Sequence, residues 1–482
     1  MNIALVFNLA GFVVMFSSLF MLAPLLTSFY YKGEDLPALG ISFLITFFSG
    51  LLIYFITKSK EKIELKHRDG FAVVTISWAV MALFGSLPYI LSELNLSFTN
   101  AYFEAIAGFT TTGSSVLTNL EEIPHGILLW RSLTQWIGGM GIIVFSLAIL
   151  PMLGAGGMQL FKAEVPEIGV EKLKPRIIDM AKSLWYIYAG LTAVLTLLLY
   201  IAGMGLFDAV CHALTTMATG GFSTKTASVA YFNSGYIDMI ITVFMFLAGI
   251  NFSLHFFALR GNFSRFAKSS EFKFYCMIVL GSIVILTLKL MQSDYTSITE
   301  ALRYSSFQVV SIITTTGFAT ADYEVWPVFT QMHLLCLMFF GGMVGSTAGG
   351  MKQARILLMF KQAYRELYHL IHPHAMTALK LDEKNVPKET LGGIWGFLFL
   401  FILISVVATL LMTALGIDII TSASTVISSM ANVGPALGDA GPADNYFMLP
   451  AAGKWILILC MLIGRLEIYT VILLFLPIFW RK

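Results

Sequence analysis

Apolar residues run along this chain in blocks long enough to cross a lipid bilayer, separated by short polar stretches. A hydrocarbon core of about 30 Å takes about 20 apolar residues in a helix. By that measure ten full spans are expected, at about residues 3–29, 36–57, 70–92, 125–150, 181–204, 235–259, 273–291, 329–360, 390–415 and 450–479. Four shorter apolar segments remain, at about 99–113, 207–221, 301–317 and 420–434, each ending in small or hydroxylated residues. They are too short to cross and read as re-entrant half-helices. The first span has no basic segment before it and is too long for a cleaved signal, so it is expected to stay as a spanning helix.

Composition agrees with the pattern and narrows it. Hydrophobic residues make up 57% of the 482, charged residues 12%, and mean hydropathy is +0.80. These values lie far from globular averages and exclude both a soluble fold and a disordered chain. A net charge of +2 leaves no footprint for nucleic acid. The basic residues cluster instead between spans: Lys58, Lys60, Lys62, Lys66 and Arg68; Lys162, Lys172, Lys174, Arg176 and Lys182; Arg260, Arg265, Lys268 and Lys273; then Lys352 to Lys388; then Arg481 and Lys482. Threading ten spans puts every cluster on one face, which the positive-inside rule makes cytoplasmic, with both termini inside. Cys211, Cys276, Cys336 and Cys460 stand singly in apolar stretches, without metal or redox spacing, and read as small hydrophobes.

The half-helices repeat. They end in TTTGSS (110–115), ATGGFST (218–224), TTTGFAT (314–320) and ANVGPAL (431–437). With Gly113, Gly221, Gly317 and Gly434 taken as equivalent, the copies are spaced 108, 96 and 117 residues apart. Other positions then fall into register. Twelve residues upstream stand Ala101, Ala209, Ser305 and Ser422, all small. Nine upstream stand Glu104, His212, Gln308 and Thr425, all polar. Seven upstream are Ile106, Leu214, Val310 and Ile427, and two downstream are Ser115, Ser223, Ala319 and Ala436. Gly220 is the alternative to Gly221 in the second copy. The expected fold is therefore an all-α integral membrane protein of about ten transmembrane helices. A helix pair (1–68) precedes four parallel helix–pore loop–helix repeats, at 69–160, 161–266, 267–380 and 381–482, around a quasi-fourfold pore.

Irregular backbone at membrane depth is tolerated where it is buried in protein or lines a water-filled cavity. The loop residues Thr111, Thr112 and Gly113, Thr219, Gly220 and Gly221, Thr315, Thr316 and Gly317, and Asn432, Val433 and Gly434 can aim carbonyl oxygens at an axis, replacing the hydration shell of a cation. Glycine suits backbone angles that a Cβ makes costly. Half-helix C-termini add partial negative charge. With no acidic ring at the loops, the pattern favours a large monovalent cation such as K⁺, as transported ion, with no organic cofactor. A lone TTTG is equally an ordinary glycine-capped helix end.

The eighth span is interrupted by Gly341, Gly342, Gly345, Ser346, Thr347, Gly349 and Gly350 within GGMVGSTAGGMK. Such residues form helix poorly, so a broken helix with an irregular mid-membrane loop is expected, acting as a gate; close helix packing through small residues is the alternative. Arg465 lies near the middle of the last span. It reads as a cation bordering the permeation path, hydrogen-bonded to loop carbonyls, with a structural pair to Glu467 as the alternative. Asp208 suits a helix cap. His369, His372 and His374 read as part of a solvated connector. The sequence holds no GxSxG, HExxH or catalytic triad, as expected of a protein that makes and breaks no bonds.

Together the four glycine loops, the broken eighth span and Arg465 resemble the Trk/Ktr/HKT superfamily of potassium transporters over essentially the whole chain. Within it, the chain is most similar to the membrane subunits of bacterial Trk potassium uptake systems, which also carry an extra N-terminal helix pair. The resemblance implies filter glycines at Gly113, Gly221, Gly317 and Gly434, a gating loop at Gly341–Gly350, and a pore-facing basic residue at Arg465. It also implies potassium uptake across a bacterial inner membrane, a homodimer, and a cytosolic ring of TrkA-type nucleotide-sensing regulatory subunits. The fourth loop departs from the pattern in lacking threonine, and the second in carrying Gly220. An ion-coupled K⁺ symporter, driven by H⁺ or Na⁺, remains the alternative to a channel.

Overall fold

The computed structural model describes residues 2–58, 67–148, 173–375, 377–382 and 384–481. Lys60, Lys62, Lys66, Lys162 and Lys172 of the basic clusters, and the boundary at 160/161, lie outside the described residues. Among the described residues, six helices are long and apolar enough to cross a membrane: Ile3–Tyr31, Leu36–Ile56, Arg68–Leu91, Asp179–Ile201, Ser270–Leu290 and Lys388–Ala414. Large apolar side chains such as Leu26, Phe48, Leu280 and Phe399 point outward from them, more than half exposed, as a surface solvated by lipid requires. His125–Ala148 is of similar length but carries Arg131, Ser132, Thr134 and Gln135, all buried; it faces protein.

Four short helices stand between the long ones: Phe98–Phe109, Leu206–Met217, Ile298–Ile313 and Ile419–Ala431. These pore helices are buried over their C-terminal halves and exposed at their first turns, as at Phe98, Leu206, Ile298 and Ile419. Ala101, Ala209, Ser305 and Ser422 are all at 0% exposure, which explains the column of small residues: a larger side chain there has no room. The first and fourth pore helices pack closely on the second long helix of their units through glycine. A Cβ on Gly138 would meet Phe109 O, and one on Gly464 would meet Met430 O, each inside 3.0 Å.

Three of the ten expected spans are broken. The eighth divides, as anticipated, into Val328–Met338 and Gln353–Ile371, with the glycine-rich loop between them. The sixth bends by 100° between Gly235–Ala248 and Phe252–Leu259, and the tenth by 120° between Ala451–Arg465 and Ile468–Phe475. Both were expected to run straight, because hydropathy does not fall at either bend. The backbone is re-satisfied locally: Asn251 caps the new helix by accepting from Ser253 N at 2.8 Å, and Glu467 takes φ +69° to turn the chain.

Gly464→Ala is expected to cost about 1–3 kcal/mol of stability by forcing the last span off its pore helix. Thermal unfolding of the purified protein in detergent, read by size-exclusion recovery, checks this; an unchanged midpoint would contradict the close approach.

Candidate functional site

Each pore helix stops in the same way. Thr111 N bonds Gly108 O and Thr112 N bonds Ala107 O; Thr219 with Thr216 and Gly220 with Thr215, Thr315 with Ile312 and Thr316 with Ser311, and Asn432 with Ser429 and Val433 with Ser428 repeat the pair. This 5→2 and 6→1 closure is a Schellman motif, which requires a left-handed residue and normally takes glycine. Here that place is filled by Thr111 (φ +51°), Thr219 (+53°), Thr315 (+56°) and Asn432 (+56°). A β-branched residue in that region is strained by about 1–3 kcal/mol. Asparagine tolerates it best among residues with a Cβ, which accounts for the missing threonine of the fourth loop.

Two residues later the chain turns left-handed again at Gly113, Gly221, Gly317 and Gly434. A Cβ on Gly113 would fall against Gly220 O, on Gly221 against Thr316 O, on Gly317 against Val433 O, and on Gly434 against Thr112 O, each closer than 3.0 Å. Every glycine thus abuts the loop of the next unit, and the fourth abuts the first, so the four loops close a ring. Gly221, not Gly220, holds the ring position of the second loop. Gly220 is small for another reason: Gln135 Nε2 donates to its carbonyl at 2.6 Å, Gln135 Oε1 accepts from Phe222 N, and the amide fills the space a side chain would need.

Polar side chains hold the returning strands. Ser115 donates to Glu104 at 3.0 Å and Ser223 bonds His212 Nε2 at 3.0 Å, so in the first two units the polar residue nine upstream meets the small residue two downstream. Glu104 also takes Val116 N and the Arg131 Nε at 2.6 Å, with both side chains buried. Arg131 Nη1 reaches across to Ser223 O at 2.7 Å. Further ties complete the circle: Ala230 N to Ala319 O, Tyr323 to Ala436 O, Tyr446 to Gly434 O and Asn432 Nδ2 to Thr112 Oγ1 at 2.9 Å. Asp208 is not the cap of its helix, which is Gly205; its carboxylate accepts from Thr224 Oγ1 at 2.6 Å instead.

On one side of the ring lies a cavity of about 100 Å³ bordered by Gly113, Gly221, Gly317 and Gly434 together with Ser114, Lys225 and Asp444. Nearby, Glu324 accepts from Gly438 N at 2.5 Å; burial, helped by Asp322, Asp444 and Asp439, pushes its carboxyl above the usual range.

On the other side sits the glycine-rich loop. Gly341, Gly345 and Gly350 take positive φ. Gly349 N donates to Thr315 Oγ1 at 2.7 Å, Gly350 N to Ala431 O and Thr347 Oγ1 to Met217 O at 3.0 Å, so the loop is bonded to three pore-helix ends. Ser346 turns inward on Met343 O, and Gly342 O accepts from Gln353 N. The bend of the sixth span feeds the same loop: Met343 N takes Gly249 O and Phe252 N takes Gly345 O. Arg465 Nη1 donates to Thr347 O at 2.7 Å, while Glu467 pairs with Arg355 at 2.6 Å. Lys352 Nζ donates to Ala348 O. Glu271 Oε1 accepts from both Val344 N at 2.8 Å and Ala354 N at 3.1 Å, holding the two ends of the loop together. Sequence reasoning missed Gln135, Arg131, Glu271, Lys352 and Arg355. The available signal was polarity at membrane depth; their partners are long-range and leave no spacing to read.

The family model for TrkH, a cation transport protein, matches residues 38–482. The chain belongs to this family. It is 44% identical over 477 residues to the Trk system potassium uptake protein TrkH of Salmonella typhimurium, covering 98% of this chain and 97% of that one. It is 42% identical over 486 residues to TrkH of Escherichia coli K12, covering all of both. The crystal structure of the potassium transporter TrkH from Vibrio parahaemolyticus superposes with a TM-score of 0.92 at 38% identity over the full length of each chain. This member of the TrkH family is a multi-pass membrane transport protein with the all-helical fold of its relatives, and not an enzyme.

Glu104→Gln alone leaves the Arg131 charge buried without its partner and is expected to cost about 3–5 kcal/mol. Glu104→Gln combined with Arg131→Met removes both charges and is expected to recover most of that loss. Denaturant unfolding in micelles measures the cycle; additive losses would mean the two groups act separately.

Proposed function

We propose that the chain is the membrane subunit of a bacterial potassium uptake system and that K⁺ crosses the inner membrane through the ring of four glycine loops. The observation that carries this reading is the ring itself: four loops abut in cyclic order, with a cavity on one side and a plugging loop on the other. Thr111, Thr112, Gly113 and their counterparts through Gly434 supply the carbonyls and hydroxyls that stand in for water. The repeats span 69–160, 161–266, 267–380 and 381–482.

The Gly341–Gly350 loop is the gate. Its bonds to three pore-helix ends keep it beneath the ring, and Arg465 adds a positive charge that repels cations while the loop is in place. Opening must withdraw the loop, and the helix Gln353–Ile371 that continues from it is the handle. Both termini are cytoplasmic, the protein is a homodimer, and a TrkA-type nucleotide-binding subunit acts from the basic face.

A channel is favoured over an H⁺- or Na⁺-coupled symporter because the two titratable side chains that anchor the first and second loops are engaged. Glu104 is ion-paired with Arg131, and both nitrogens of His212 are hydrogen-bonded, to Asp208 O and Ser223 Oγ. In proteoliposomes, K⁺ flux is expected to follow the electrochemical gradient whatever the proton gradient; K⁺ accumulation driven by protons against its own gradient would establish the symporter.

Removing the loop from 341 to 350 is expected to raise K⁺ flux, and Arg465→Ala to raise it while the protein still assembles. Unchanged or lower flux through correctly folded variants would remove the gate from this position.

A further inference from the structure

Beyond the pore, the helix that continues from the glycine loop carries an open groove of about 350 Å³ near its far end. One wall is the helix face that bears Lys361, Tyr364, Arg365 and Tyr368; the other is the returning segment with Thr377 and Lys380. Among the described residues, no carboxylate lines it. Lys361 Nζ donates to Lys380 O at 2.9 Å, which ties the Lys361 ammonium to the Lys380 backbone without neutralising either charge. Arg365 lies 3.6 Å from Glu366, itself mostly exposed, and its Nε is buried without a partner.

Three cations gathered at one groove repel one another unless an anion joins them, and Lys361 with Arg365 is a like-charged i, i+4 pair. The same helix presents an apolar stripe beside the groove. Phe360, Leu367 and Ile371 are 59%, 63% and 73% exposed, at spacings that share a face with Tyr364. Basic residues next to an apolar stripe, with tyrosines between them, are the arrangement that seats a helix at a lipid headgroup layer. A soluble anion would use the cations and leave the stripe bare.

We infer that this groove binds the phosphate headgroup of an anionic phospholipid, with Lys361, Arg365 and Lys380 on the phosphate, the tyrosine hydroxyls at the glycerol level, and an acyl chain along Phe360, Leu367 and Ile371. The inference stands apart from the gating reading, because it concerns occupancy of the groove and not ion flux.

Native mass spectrometry of the purified full-length protein in detergent with phosphatidylglycerol, phosphatidylcholine or ATP tests it. Phosphatidylglycerol is expected to be retained over phosphatidylcholine. Lys361→Gln with Lys380→Gln is expected to weaken phosphatidylglycerol retention about 30-fold, since each basic residue at an anionic membrane surface contributes about five-fold and the two multiply. Lys361→Arg with Lys380→Arg, which keeps the charges, is expected to retain it and decides the matter if the glutamine variant unfolds. Equal retention of phosphatidylglycerol by wild type and the folded glutamine variant overturns the site. So does displacement of the lipid by ATP at equal concentration, or an effect of the substitutions on the dimer fraction alone, which would assign the groove to a soluble phosphate or to a second copy of the chain.

Discussion

A helix that ends inside a membrane leaves its last carbonyls with no water to donate to them, and this chain meets that constraint four times by one device. Each pore helix folds its terminus back through paired N–H groups two residues before a ring glycine. The closure fixes where the next residues lie, and so the position of every loop is set by a backbone requirement before any side chain is considered. The strained threonines are the visible cost: glycine would fit the left-handed place with less strain, and three of four units carry threonine there instead. At one of the three the hydroxyl is put to use: Thr315 Oγ1 accepts from Gly349 N.

The ring then depends on tight packing behind it. Gly138 and Gly464 let the pore helices approach the long helices, and the Arg131–Glu104 pair bridges the first loop to the second. Charges appear where the loops need rigid support, while the ring itself is lined by the neutral backbone. On the opposite side, the freed backbone of one broken helix satisfies another: the bend at Gly249–Asn251 supplies the donor and acceptor that the glycine loop takes up. The breaks of the sixth and eighth spans are therefore one feature, and the tenth joins it through Glu467 and Arg355.

Much of this was legible in the sequence. The fourfold register showed in columns whose meaning is now physical: the small column is buried against neighbours, and the polar column anchors the returning strand at Ser115 and Ser223. The eighth-span break was legible because five glycines and two hydroxyls within twelve residues cannot hold a helix. The sixth and tenth bends were not, since Gly249, Asn251 and Glu467 interrupt neither hydropathy nor length. The kind of partner expected for Arg465, a loop carbonyl, matches what it bonds, but which one was out of reach: it is that of a residue 118 positions away, while nearby Glu467 is claimed by Arg355. Local pattern reports what a segment can be, and long-range polar partners depend on the assembled neighbours.

The cyclic abutment of the glycines has a consequence for biosynthesis. Because Gly434 closes against Thr112 and Gly113, the circle has no complete form until the C-terminal quarter of the polypeptide has been inserted. A nascent or prematurely terminated product lacks one side of the ring, so on the proposed reading it holds no complete binding path for an ion while translation proceeds.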